Sequence, residues 1–476
     1  MRRTKIVATV GPASFDPTVI KKMIRAGMNV TRIGLAHGSL DDHLVTYHRV
    51  REAAADAGAD LSIMVDLPGP KIRCAPFPDG GVDLLAGHEV LITSGRDGST
   101  AEVISVDYPD LITSMQSGDR IALGDGNIAM SVEGVGGDEV VTRVVRGGLV
   151  QGRPGLQVPS ERLRLPTPTP EDLRLADAFI EVGVDMIAVS FVRSAHDIRR
   201  VGVEAAPAGP LLVAKVETAA AVEHLDGIVE ASGAVMVARG DLGTDYALSE
   251  LPHLQKHIIR RCIAMGRPVI TATQMLESMV YAAFPTRAEA SDVANAVFDG
   301  SSALMLSGES AIGVDPVNAV ATMAEIIKRA DEEFDHEAWA DVIDDLRFDD
   351  KQKDAAAITT DALTMAACKV AERVDAKAIV CLSRTGFTAR SVTRFRPSVP
   401  ILAFSPSEAA VRQLAVSWGT RATLTEERST AAEVRDDALR LARDRLGMAS
   451  GDRVVVISGQ SVKTRATDTL RVMPIP

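Results

Sequence analysis

Eight short apolar runs, separated by stretches of helical spacing, constrain this 476-residue chain more than any other feature. They are KIVATVG (5–11), MNVTRIGL (28–35), LSIMVDL (61–67), MIAVSFV (186–192), LLVAKVE (211–217), AVMVARGDL (234–242), PVITATQM (268–275) and ALMLSGE (303–309). Runs of Val, Ile and Ala without polar alternation are what strands buried on both faces look like. Segments 41–57 and 286–300 carry apolar residues at helical spacing. Eight β-α units predict the α/β class and a closed (β/α)8 TIM barrel, whose sites gather at the carboxyl ends of the strands. A doubly wound open sheet is the alternative.

Charge appears where these runs end. The stretch AVMVARGDLG (234–243) stops abruptly at Arg239-Gly240-Asp241, around a glycine that lets backbone amides approach a ligand. In LLVAKVE, Lys215 and Glu217 are two apart, so on a strand they share a face. An ammonium and two carboxylates converging at strand ends suggest a divalent metal beside a cation, which is phosphate chemistry. A structural ion pair is the plain alternative.

Residues 69–165 break the rhythm. They are rich in Gly, with alternating runs such as EVLIT, RIALGD and EVVTRVV, and predict an inserted all-β domain. Pro68-Gly69-Pro70 opens the insert and LPTPTP (165–170) closes it, so it reads as a lid on semi-rigid hinges. The barrel then comprises 1–68 and 166–340. A charged connection, 332–354, leads into a C-terminal α/β regulatory or oligomerisation domain, 341–476. Its strand candidates are 376–383, 400–405 and 452–459.

The formal net charge is −12 and aromatics are few, so nucleic acid and anionic membranes are poor partners. The four cysteines, Cys74, Cys262, Cys368 and Cys381, lack metal-ligand spacing and read as reduced cytosolic thiols. The nine histidines show no zinc pattern. The basic, then apolar, start reads as a first strand rather than a signal peptide. No run approaches the roughly 20 apolar residues of a membrane span. These features predict a cytoplasmic protein with a small-molecule substrate.

The strings TKIVATVGPAS (4–14), VARGDLG (237–243), TATQMLESM (271–279), PTRAEASDVANAVFDG (285–300) and LMLSGESA (304–311), in this order, resemble the pyruvate kinase family over essentially the whole chain. The resemblance implies phosphoryl transfer from phosphoenolpyruvate to ADP, giving pyruvate and ATP in glycolysis, and a homotetramer. It implies Mg2+ (or Mn2+) on Glu217 and Asp241. Lys215 resembles the lysine that neutralises the transferring phosphoryl and the enolate, and Arg32 the arginine that grips the phosphate. Backbone amides of Ala238, Arg239, Gly240 and Asp241 would hold the substrate carboxylate. Thr273 resembles the threonine beside the enolate methylene, ordering a proton path with Ser307 and Glu309. His37, Arg73 and Arg153 fall at nucleotide-binding positions.

The chain also departs from the family. Gly34 and Ala36 replace the Asn and Ser that help bind potassium. Asp66 is kept as a residual monovalent-cation ligand, and Lys71 stands where potassium-requiring members carry Glu. An ammonium there substitutes for the ion, so activity without K+ is expected. Thr218, Pro154 and Arg164 are further departures, which raise the alternative of a paralogue with low activity or altered nucleotide preference, binding phosphometabolites as a regulator. A barrel lyase using Lys215 as a Schiff base is a third reading. Ser383, Arg384, Thr385, Gly386 and Thr388 resemble the phosphate loop for sugar-phosphate or nucleotide effectors, with 459–468 as the facing loop.

Overall fold

A computed structural model describes residues 2–70, 72–108, 110–124, 128–162, 165–348, 355–428, 430–459 and 467–476. Eight parallel strands close into a barrel in chain order: β1 (Lys5–Thr9), β2 (Val30–Gly34), β3 (Ser62–Asp66), β4 (Met186–Val189), β5 (Leu211–Val216), β6 (Ala234–Ala238), β7 (Val269–Ala272) and β8 (Ala303–Leu306). β8 pairs back onto β1 through Lys5↔Ala303 to Ala8↔Leu306, which excludes the open sheet. Each predicted run holds one strand. Those at 186–192, 234–242 and 268–275 overshoot, because apolar residues continue into the turns that follow.

The closed sheet explains the missing alternation. Val7, Val30, Met64, Met186, Val213, Met236, Ile270 and Met305 pack together as an inner core. Their neighbours Ile6, Ile33, Val65, Val216, Val235 and Leu304 belong to the larger core shared with the helices. Both faces are therefore apolar. At the carboxyl end the inner series changes character at the same two-residue step: Leu211 and Val213 lead to Lys215 and Glu217, Met64 to Asp66, and Val30 to Arg32. Helices Leu40–Asp56 and Arg287–Phe298 start with capping boxes from Ser39 and Thr286, which fix where each strand–loop–helix unit turns.

The insert forms a seven-stranded sheet running from Ile72–Arg73 to Gly155–Gln157, plus a two-stranded ribbon, around its own core of Val90, Ile92, Ile104, Ile121 and Val140. The C-terminal sheet has five strands: β9 (Ala378–Leu382), β10 (Ile401–Ser405), β11 (Thr420–Leu424), β12 (Arg453–Ser458) and β13 (Thr469–Pro474), in the order β11-β10-β9-β12-β13. β11 and β13 went unread in the sequence. They are edge strands in which Thr and Arg interrupt the apolar residues and most positions are partly exposed, so they lack a buried-strand pattern. Much of the charged connection is a helix, His336–Phe348.

The C-terminal domain closes the amino end of the barrel. Val416 joins the inner barrel core, with Ala415 packed against it. Arg396 lies over the Trp418 ring, 4.6 Å from its centroid, and donates to the carbonyl of Gly300. Gly300 has φ +93°, and a Cβ there would run into the Trp339 indole. Gly300→Ala is expected to destabilise the protein by about 2–4 kcal/mol through strain and overpacking. A urea midpoint equal to that of the wild type would show that this contact is not tight.

Candidate active site

The inward-facing charges meet at the carboxyl end of the barrel. Asp66 ends β3, beside Gly34 of β2 and Ala188 of β4 in register. Lys215 is in β5, opposite Met236 of β6. Lys215 is 7% exposed, and Asp66 and Glu217 are each 3% exposed. Its Nζ lies 2.9 Å from Glu217 Oε1, 3.2 Å from Asp66 Oδ1 and 2.7 Å from Ser190 Oγ. The other Asp66 oxygen accepts from Arg32 Nε at 2.6 Å, and Arg32 also donates to Thr9 Oγ1.

Burial alone would lower the pKa of Lys215, but the carboxylates of Asp66, Glu217 and Asp241 outweigh it, and the net shift is upward. A charge pair at about 3 Å is worth about 5 kcal/mol at an effective dielectric near 20. Several such pairs offset a desolvation cost of several kcal/mol. Two carboxylates within 3.2 Å favour the charged form of Lys215, and an ammonium is a poor imine-forming nucleophile, which counts against the Schiff-base reading. Glu217 is pushed up to about 7, chiefly by burial, with Lys215 opposing and Asp241 adding to the rise.

Glu217 and Asp241 thus feel each other across the site. The backbone N–H of Phe191 donates to Glu217 Oε2 at 2.7 Å, and Gln157 of the insert donates to Asp241 Oδ1 at 3.1 Å. Among the described residues, no group of three or more His, Cys, Asp or Glu is placed to hold a metal. Two carboxylates with free lone pairs fit an ion that keeps waters and takes substrate oxygens, as Mg2+ does.

The loop after β7 is held in an unusual shape. Thr273 has φ 67° and Gln274 φ 54°, uncommon for side chains of this kind. The Thr273 hydroxyl donates to Ala272 O and accepts from Gly240 N–H at 3.0 Å. Glu309 is fully buried; its oxygens accept from the N–H groups of Leu276 and Ser307, tying the β7 and β8 loops together. The Arg239 guanidinium braces the same loop, donating to Thr273 O at 2.7 Å and pairing with Asp292. Among the proposed carboxylate-binding residues, Arg239 therefore has only its backbone to offer substrate.

Arg73 donates to the carbonyl of Ala36 at 3.2 Å and to that of Arg153 at 3.4 Å, joining the mouth of the insert to the β2 loop. The side chains of His37 and Arg153 are exposed there. The effector-loop residues are grouped in the C-terminal domain. Arg384 pairs with Glu427, Gly386 (φ 75°) precedes helix Phe387–Thr393, and Thr385 leads into it. Ser383 extends β9 by donating to Phe404 O, and the Thr388 hydroxyl meets that of Thr467 at 3.1 Å. Lys71, Arg164 and residues 460–466 of the facing loop lie outside the described residues.

Sequence reasoning missed Ser190 and Gln157. Ser190 was findable: it continues the inward series Met186, Ala188, and its hydroxyl accepts from Lys215 while donating to Leu67 O at 2.7 Å. No local signal marks Gln157. As a positioning residue, Ser190→Ala is expected to lower kcat about tenfold, the equivalent of one hydrogen bond to a charged group. KM should hold, and Ser190→Thr should restore the rate. A loss confined to KM would remove this role.

The comparisons converge on one family. The description "Pyruvate kinase, barrel domain" matches residues 1–320, and "Pyruvate kinase, alpha/beta domain" matches residues 361–473. A pyruvate kinase of Bacillus licheniformis is 38% identical over 477 residues, covering 99% of this chain and 80% of that protein. One of Mycobacterium tuberculosis is 39% identical over 464 residues, covering 96% and 95%. The crystal structure of a pyruvate kinase from Cryptosporidium parvum superposes with a TM-score of 0.88 at 32% identity, covering 100% of this chain and 96% of that one.

Proposed function

The chain belongs to the pyruvate kinase family of phosphotransferases, and from that premise we propose that it moves the phosphoryl group of phosphoenolpyruvate to ADP in glycolysis, with Mg2+ or Mn2+ and without K+. The observation that carries this reading is the Lys215 ammonium, held charged and buried between Asp66, Glu217 and Ser190. Fixed positive charge aimed at a migrating phosphoryl is what this chemistry needs, because little else stabilises its transition state.

In this reading Arg32 grips the phosphate while Asp66 and Thr9 fix its guanidinium. Lys215 neutralises charge on the phosphoryl as it leaves and on the enolate oxygen left behind. Glu217 and Asp241 would hold the divalent ion, which would screen phosphoryl charge and help orient substrate. The amides at Ala238–Asp241 hold the substrate carboxylate. Thr273 lies beside the position of the enolate carbon, with Ser307 and Glu309 shaping the path of the incoming proton. A hydroxyl is a weak acid, so water delivers that proton. Arg73, with His37 and Arg153, meets the nucleotide phosphates, and the insert acts as the lid. The expected homotetramer, the cytoplasmic location and an effector at Ser383–Thr388 belong to the same reading. No helix among the described residues is long and apolar enough to cross a membrane.

Two tests bear on this proposal. Lys215→Met should reduce ATP formation from phosphoenolpyruvate and ADP by about three orders of magnitude or more, the scale of an electrostatic contribution at a reacting centre. Mn2+ binding, followed by paramagnetic relaxation, should persist. Near-normal turnover would reject the role given to Lys215. For potassium, Asp66 already has two cationic partners, Arg32 and Lys215, and Gly34 and Ala36 offer no side-chain oxygen. Replacing choline chloride by KCl at constant ionic strength should leave kcat unchanged across a panel of nucleoside diphosphates. A strong stimulation by K+ would count against this part of the reading.

A further inference from the structure

The insert meets the barrel at the turn that carries Asp241, and its contacts there are polar. In the insert strand Gly155–Gln157, Leu156 packs into the insert's own core, as does Val158 just beyond the strand. Period two therefore turns Gln157 outward, toward the barrel. Opposite it stands helix Arg239–Asp245. Asp241, Thr244 and Asp245 are spaced i, i+3, i+4, so they share one face of that helix, while Leu242 is buried in the barrel core.

The insert lands on that face. Gln157 Nε2 donates to Asp241 Oδ1 at 3.1 Å, and Gln157 Oε1 accepts from the Thr244 hydroxyl at 3.3 Å. Both ends of the amide are engaged, which fixes its orientation. Further along, the Ser160 N–H donates to Asp245 Oδ1 at 3.2 Å and the Ser160 hydroxyl to Asp245 Oδ2 at 2.8 Å. Asp245 Oδ2 also accepts from the N–H of Ala219 at 2.8 Å, two residues after Glu217. Asp245 thus joins the insert to the loop that follows Glu217, and Gln157 joins it to Asp241. One short strip of the insert, 157–160, reaches the surroundings of both carboxylates.

We infer that Gln157 is a positioning residue for the divalent ion: its amide aims the Asp241 carboxylate, so that ion occupancy and docking of the insert on helix Arg239–Asp245 strengthen each other. The inference rests on the reading that Glu217 and Asp241 are the ion's ligands. A neutral amide suits this task. It orients a carboxylate without adding positive charge that would repel the ion. One hydrogen bond uses one of roughly four lone-pair sites on a carboxylate, so Asp241 keeps capacity for a metal. Groups that hydrogen-bond to metal-ligating side chains typically account for about tenfold to hundredfold in metal affinity. Such coupling is reciprocal: the factor by which the docked insert tightens the ion is the factor by which the ion tightens docking.

The test uses the full chain with Mn2+ and no substrate, read by paramagnetic water relaxation and by amide hydrogen exchange. Gln157→Leu keeps similar bulk without the donor and should weaken Mn2+ binding about tenfold or more. In the wild type, Mn2+ should slow exchange of the Ser160 amide about tenfold, and in Gln157→Leu it should leave that amide unchanged. Asp241→Asn should abolish Mn2+ binding. If Asp241→Asn binds Mn2+ as the wild type does, the ligand assignment fails and this inference with it. If Asp241→Asn loses the ion while Gln157→Leu binds it as tightly as the wild type, or more tightly, the role of Gln157 alone is overturned. Equal slowing at Ser160 in the wild type and in Gln157→Leu would likewise overturn the coupling.

Discussion

The charge balance around the Lys215 ammonium is what the catalytic end of this molecule is built to hold. A lone buried cation would lose its proton or pull the site open to water. Here Asp66 and Glu217 reach it from β3 and from the end of β5, and Ser190 supplies a third acceptor. These partners come from three places in the sequence, and parallel register is what brings them level. The apolar layers beneath them exclude water, so the pairs act at short range in a low dielectric.

The same cluster is tied to the insert. Gly69 has φ +68°, and a Cβ there would stand 2.8 Å from both Ser190 and Phe191. Its N–H donates to Asp172, which also closes the capping box of helix Pro170–Glu181. The start of the insert thus rests on the turn that supplies Ser190 to Lys215 and the Phe191 amide to Glu217. On the other side, Gln157 reaches Asp241 and Ser160 reaches Asp245. Movement of the insert would be felt by both carboxylates proposed as metal ligands.

The opposite end is organised by a different balance. Val416 completes the inner core from below, and Arg396 is stacked against Trp418 and Trp339. Apolar contact and cation–π packing seal this end.

Much of this was legible in the chain alone. Period-two spacing put Lys215 and Glu217 on one face, and unbroken apolar runs marked eight strands covered on both sides. Those are local properties, set by backbone geometry and by what water will not tolerate. Three features were decided only in three dimensions: closure of β8 on β1 in place of the open sheet, the reach of Gln157 to Asp241, and the turning of Arg239 away to brace the β7 loop. Each joins residues far apart in sequence, or chooses among partners a side chain could equally take. Packing settles such choices by which pairing leaves no buried charge or polar group without a counterpart.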